Sequence, residues 1–125
     1  MAGFDEIAKQ FVDFYYKAFD ADRTSLSALY RQESMLTFES VAVATVGSII
    51  EKLTSLPFQK VQHRVDTTDA QPSGQHGGIL VMVTGALMVD DEPKPMNFTQ
   101  TFQLMPDSGS FFVLNDIFKL VYPAL

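Results

Sequence analysis

Near the start of the chain, apolar residues recur at three- and four-residue spacing: Phe4, Ile7, Ala8, Phe11, Phe14, Tyr15, Ala18 and Phe19. That spacing predicts an amphipathic helix with an aromatic face, with Asp5, Lys9, Asp13 and Lys17 on its wet side. Asp20 and Asp22 break the pattern. Leu26, Leu29 and Tyr30 predict a short second helix that Thr24 or Ser25 would cap. Met35 to Glu39 reads as a brief strand, and Ser40 to Thr45, which has no clear period, as chain wrapping the surface. Thr45 is the natural cap of a third helix carrying Ile49, Ile50, Leu53 and Leu56, despite Gly47 within it.

Pro57 marks a corner. It offers no backbone donor and disfavours helix in the residue before it, so the third helix is expected to end near Leu56. Beyond it Val61, His63, Val65 and Thr67 alternate with Gln62, Arg64 and Asp66, the period of a half-buried strand. Phe58 sits at the corner, where a large side chain would line the space between a helical layer and a sheet. Turn residues at 71–78, 90–95 and 106–109 divide the remainder into candidate strands, and such short loops imply an antiparallel meander. Helices first and strands afterwards predict an α+β fold, the helices packed on one face of the sheet.

The later strands do not alternate as a sheet with one wet face should. Leu80 and Met82 point opposite to Val81 and Val83. From Phe111 to Tyr122, Phe112, Leu114, Phe118 and Leu120 oppose Phe111, Val113, Ile117 and Val121. Strands apolar on both sides are covered on both sides. The helices can cover one face, so a second copy of the chain is expected on the other, with Leu80, Met82, Val113 and Ile117 forming a homodimer interface.

Composition narrows the chemistry. A chain of 125 residues with 46% apolar residues and eleven Phe predicts one packed domain over residues 1–125. A net charge of −6 argues against nucleic-acid or anionic-membrane partners, and no stretch approaches the ~20 apolar residues of a membrane span. Asp5 and Glu6 interrupt the N-terminus, so no secretory leader is expected and a soluble intracellular protein is the default. Without cysteine there is no disulfide or thiolate metal site, and His63 and His76 lack paired metal-binding spacing. No phosphate-binding loop or nucleophile elbow occurs, and no cofactor is expected. Glu39, His63 and Asp116 remain as groups that could reach a hollow between the layers and move a proton there. Glu39 beside Phe38 at a strand end would equally suit a basic-plus-aromatic protein ligand, with the Asp90-Asp91-Glu92 turn supplying further charge if it lies near.

The runs FYYKAFDADRTSLSALY, SMLTFE, IIEKLTSLPFQKVQHRV, DAQP, DDEP and FFVLNDIFKL resemble the nuclear transport factor 2 family, in its fungal form, over essentially the whole chain. The resemblance implies a homodimeric, cone-shaped, cystatin-like α+β fold, with three helices in its N-terminal half on a strongly bent antiparallel sheet. It implies a non-enzymatic carrier of the GDP-bound GTPase Ran that also binds Phe-Gly repeats of nucleoporins. Such a carrier works in cytoplasm and nucleus, enriched at the nuclear pore. By position, the Ran-binding carboxylates would be Glu39, Asp90 and Glu92, and the cavity for a Ran aromatic would be lined by Phe38, Leu56, Phe58, Val61, His63 and Phe118. Phe4 would be a Phe-Gly contact, and Met82 and Ile117 dimer contacts. Phe4 and Phe38 stand where animal members carry tryptophan, Gly47 replaces a better helix former, and the loop after Glu39 diverges.

The same cone also hosts small-molecule isomerases and dehydratases, since fold does not fix function. On that alternative Glu39 or Asp116 would be the base, and His63 or a tyrosine the electrophile. A purely structural dimerisation module would leave the acids of the rim without a task.

Overall fold

The computed structural model describes residues 3–121. Helix α1 (Phe4–Ala21) buries Ala8, Phe11, Val12, Tyr15, Tyr16 and Phe19. Phe14, expected on that face, is 59% exposed. One residue advances ~100° round a helix, which carries position 14 off the buried stripe and brings Tyr16 onto its margin. Asp22 ends α1, its N–H bonding Ala18 O at 2.8 Å, while its carboxylate accepts from Thr24 N at 3.1 Å. The predicted second helix is accordingly a 3-10 segment, Arg23–Leu29, capped by Asp22 rather than by Thr24 or Ser25. Tyr30 belongs not to it but to strand β1 (Tyr30–Phe38).

Residues 40–45 lie at the surface as expected, but not as irregular chain. Val41–Ala44 forms β2, antiparallel to β1. Glu39 and Ser40 join the two strands with φ of 50° and 72°, the left-handed pair that a tight hairpin turn demands. Thr45 caps α2 (Val46–Thr54) as expected. Strands β3 (Val61–Ser73), β4 (Gly78–Val89), β5 (Met96–Asp107) and β6 (Ser110–Leu120) then form the anticipated antiparallel meander. Tyr122, read as strand from the sequence, lies outside the described residues.

The sheet runs in the order β2-β1-β6-β5-β4-β3. It is not wholly antiparallel, because β1 pairs with β6 in parallel. No turn links those strands, so local chemistry does not set their relative direction. The pairing is irregular between Tyr30 and Met35, and Ser34 fills the irregularity. Its buried hydroxyl donates to Val113 O and accepts from Arg31 N.

Two further irregularities bend the sheet and reset its faces. Between Val65 and Thr67 the ladder slips by one residue, so the simple alternation expected from Val61 ends there, and Val65 is exposed. On β6, Asn115 faces Gln103 but Val113 faces Leu104. The extra residue inverts parity, turning Val113 into the core beside Phe118 and Asp116. Val113, expected at a dimer interface with Ile117, is therefore a core residue with no surface to offer a partner. The core lies between α1, α2 and one face of the sheet. Phe102 packs edge-on against Phe11 and Tyr15, with ring centroids 5.0 and 4.8 Å away.

Gly85 sits opposite the β3 irregularity, where a Cβ would stand 2.0 Å from Arg64 O. A Cβ on Gly47, inside α2, would meet nothing within 4 Å. Gly85→Ala is thus expected to lower stability by roughly 1–3 kcal/mol. Gly47→Ala should raise it by roughly 0.5–1 kcal/mol. Urea unfolding of both variants checks the pair, and a Gly85→Ala protein as stable as the parent would contradict the close approach.

Candidate functional site

Between the helices and the bent sheet lies a hollow of about 200 Å³. Phe38, Leu56, Phe58, Val61, His63 and Phe118, the six positions assigned to a cavity from the sequence, all line it. Tyr15, Phe19, Phe38, Phe58 and Phe118 supply the aromatic part of its wall, and Leu, Val and Met side chains most of the rest. Phe38 stacks on Phe118 at 4.6 Å with 5° between planes, and Phe118 on Phe98 at 5.6 Å and 18°.

Two side chains that the sequence reading passed over hold this wall in place. Asp20, taken only as a helix breaker, accepts the His63 backbone N–H at 2.9 Å on Oδ2 and lies 2.6 Å from Nδ1 on Oδ1. An acceptor beside Nδ1 fixes the imidazole's orientation and, in the neutral ring, puts the proton on that nitrogen. The ring is wedged between Tyr16 at 4.7 Å and Phe19 at 4.9 Å. Arg23 is the second. Its guanidinium donates to Leu53 O at 3.2 Å and Phe58 O at 2.8 Å, bolting the corner after α2 to the helical layer. It also lies 5.2 Å over the Phe58 ring, while the Lys52 ammonium stands 5.8 Å from the Phe38 ring. The sequence signal was a charged residue just past a helix end, which is far commoner as a solvated cap.

The three acids assigned to the mouth have different surroundings. Glu39 is half-buried at the β1–β2 turn. One carboxylate oxygen accepts the Leu120 N–H, and its own N–H donates to Phe118 O at 3.1 Å. A non-glycine residue at positive φ costs of order 1–3 kcal/mol, and these two bonds hold it there. Asp90, also at positive φ, uses Oδ1 to accept both Gln59 N and Lys60 N at 3.0 Å. Those two backbone donors hold its carboxyl below the usual carboxylate range. Glu92 is exposed. Glu39 and the 90–92 turn lie at the same end of the sheet, with β6 and β5 between them.

Beneath the hollow is a buried polar cluster. Asp116, 1% exposed, receives Tyr30 OH at 2.7 Å and Tyr15 OH at 3.4 Å on Oδ2, and Gln100 Nε2 at 2.8 Å on Oδ1. Tyr15 and Tyr30 hydroxyls lie 2.8 Å apart, and Tyr16 OH donates to Gln100 Oε1 at 2.7 Å. Burial pushes the Asp116 carboxyl up to about 6, against the lowering by its three donors. Burial, then the Asp116 charge, also raises the Tyr30 phenol well above its ordinary value. Tyr15 and Gln100 line the hollow, whereas Asp116 is shut behind them.

Outside the hollow, Leu80, Met82 and Ile117 are exposed on the sheet face away from the helices, 54% in the case of Ile117. Phe4 is half-buried against the core rather than free at the helix start.

Residues 7–120 match the family model of the nuclear transport factor 2 (NTF2) domain. A protein of Emericella nidulans named nuclear transport factor 2 is 69% identical over 125 residues, covering 99% of this chain and 100% of that protein. The solved nuclear transport factor 2 of Cryptosporidium parvum superposes with a TM-score of 0.90 at 43% identity over 94% of each chain. A putative scytalone dehydratase of Novosphingobium aromaticivorans superposes at 0.75 with 9% identity, over 91% of this chain and 81% of that one, a likeness of fold alone.

The Asp116 cluster has a measurable signature. The folded protein keeps the Asp116 proton up to about pH 6. An unfolded chain releases it near pH ~4. Between those values the folded state binds more protons, so this stabilisation is complete below the lower value and lost as pH rises through the upper one. Asp116→Asn removes the titration. The melting temperature of wild type relative to Asp116→Asn is expected to fall from pH ~4 to ~7. A difference that is flat across that range would contradict the raised carboxyl.

Proposed function

The chain belongs to the nuclear transport factor 2 family, and from that premise we propose that it is a nucleocytoplasmic carrier for the GDP-bound form of Ran. The observation that carries the reading is the aromatic-walled hollow, with Glu39 fixed at the same end of the sheet as the Asp90–Glu92 turn. A partner aromatic filling that hollow would contribute ~1.5–3 kcal/mol. Glu39 has a second carboxylate oxygen to meet a basic residue, and Glu92 adds exposed charge. Asp90, committed to Gln59 and Lys60, acts chiefly by shaping the loop. Acids at a mouth discriminate among partners more than they add affinity. Preference for one nucleotide state follows if only one switch conformation presents the aromatic beside its basic neighbour.

The rest of the reading is a homodimer through Leu80, Met82 and Ile117, without Val113, and a Phe-Gly nucleoporin contact at the accessible part of Phe4. Such a carrier works in cytoplasm and nucleus, concentrated at the pore. An enzyme is not favoured. The relatives are named transport factors, and the carboxylate best suited to proton transfer, Asp116, is screened from the hollow and saturated by its donors.

Two experiments test this. Glu39→Gln retains an oxygen for the Leu120 N–H and removes the charge, so its melting temperature should match the parent. Its affinity for GDP-loaded Ran should fall by ~2 kcal/mol or more, about thirtyfold, and Glu39→Lys should abolish binding. Calorimetry showing both variants binding like the parent would overturn the site. Ile117→Glu would place an unpaired carboxylate in the proposed interface. Light scattering at micromolar concentration is expected to give a monomer. A dimer would move the interface elsewhere.

A further inference from the structure

The hollow's polar equipment specifies more than a greasy side chain. Every polar group at its floor is committed within the protein. Gln100 donates to Asp116 and accepts from Tyr16, and the Tyr15 hydroxyl is bonded to Tyr30 and Asp116. His63 is different. Asp20 holds Nδ1 at 2.6 Å, and Nε2 has no hydrogen bond to any described residue. No side-chain nitrogen or oxygen among the described residues is both buried and unpartnered. Nε2 therefore keeps some accessible surface, and His63 is one of the residues that line the hollow. In the neutral ring, with Nδ1–H donating to Asp20, Nε2 presents a lone pair and asks for a donor.

The surroundings fix the remaining chemistry of an occupant. A cavity of roughly 150 Å³ suffices for benzene, so about 200 Å³ takes one aromatic ring with a small substituent. The Phe38, Phe58 and Phe118 rings that line it favour a ring over an alkyl chain. Among the described residues no cation lines the hollow to meet an anion, and the nearby Arg23 is committed to the Leu53 and Phe58 carbonyls. Nor does any carboxylate among the described residues line it to meet a cation, because Asp20 is held by His63 and Asp116 is sealed off. An apolar ring alone would leave Nε2 dry and unpaired, which is costly.

We propose that this cavity is a binding site for a free, uncharged monocyclic phenol, whose ring lies among Phe38, Phe58 and Phe118 and whose hydroxyl donates to His63 Nε2. Such a molecule occupies the space that the carrier reading gives to a partner's aromatic, so the two compete if that reading holds. The phenol site itself rests on the hollow and on the Asp20–His63 pair, and stands without it.

The test is a methyl-resolved NMR titration of the full chain with phenol, anisole and benzene at millimolar concentration. Phenol is expected to shift the Leu36, Leu53 and Leu87 methyls, which line the hollow. It should bind about three- to tenfold more tightly than benzene, the worth of one hydrogen bond, and anisole, which has no O–H, should gain no such preference. His63→Phe should still bind benzene while losing the preference for phenol. Binding without shifts at those methyls, equal binding of phenol and anisole by wild type, or a preference that survives in His63→Phe would each overturn the proposal. The wild-type ranking needs no variant and decides the matter should His63→Phe fail to fold. Displacement of phenol by GDP-loaded Ran is read separately, so a phenol site that Ran leaves undisturbed would count against the carrier reading alone.

Discussion

The fold turns on one carboxylate placed where water cannot reach it. Asp116 gathers Tyr15 from the first helix, Tyr30 from the start of β1 and Gln100 from β5, and Gln100 passes the connection on to Tyr16. Hydrophobic burial can draw a helix onto a sheet, but it is indifferent to small slides and rotations. A network of directed bonds is not, because any shift would leave a buried group unpaired at a cost of ~1–3 kcal/mol. The helix is thereby pinned to one register along the sheet. The space left beside that anchor is the hollow, and its aromatic walls stand at fixed separations because the network behind them does not slide.

The same economy governs the rim. Asp20, in the last turn of α1, and Arg23, the first residue of the 3-10 segment, hold opposite parts of the cavity wall: one the His63 ring, the other the corner at Phe58. The junction of two helical segments thus does the work of a clamp. Each bonds to backbone as well as to a side chain or ring.

What could be read in the sequence was whatever rests on local periodicity and turn chemistry. The aromatic face of α1, the Thr45 cap, the break around Pro57 and the three turns of the meander were legible because each is decided by residues a few positions apart. The cavity positions came through the resemblance, residue by residue, and the hollow contains all six. Three things were not legible. The parallel pairing of β1 with β6 joins distant parts of the chain without a turn to fix its sense. The inversion at Val113 follows from a bulge that leaves no mark in a run apolar on both parities. The β1–β2 hairpin lacks the Asn-Gly or Asp-Gly that announces such a turn, carrying Glu39 and Ser40 instead.

That turn sets a local conflict between durability and use. Its backbone asks for glycine or asparagine at position 39, while the carrier reading asks for a carboxylate there. The glutamate is kept at positive φ by its bonds to Leu120 and Phe118. Selection of this chain for heat resistance alone would relax the conflict by drifting toward Gly or Asn at that position. A thermostabilised descendant could then be fully folded, with its hollow intact, and still lack the carboxylate that the carrier reading needs for discrimination among partners.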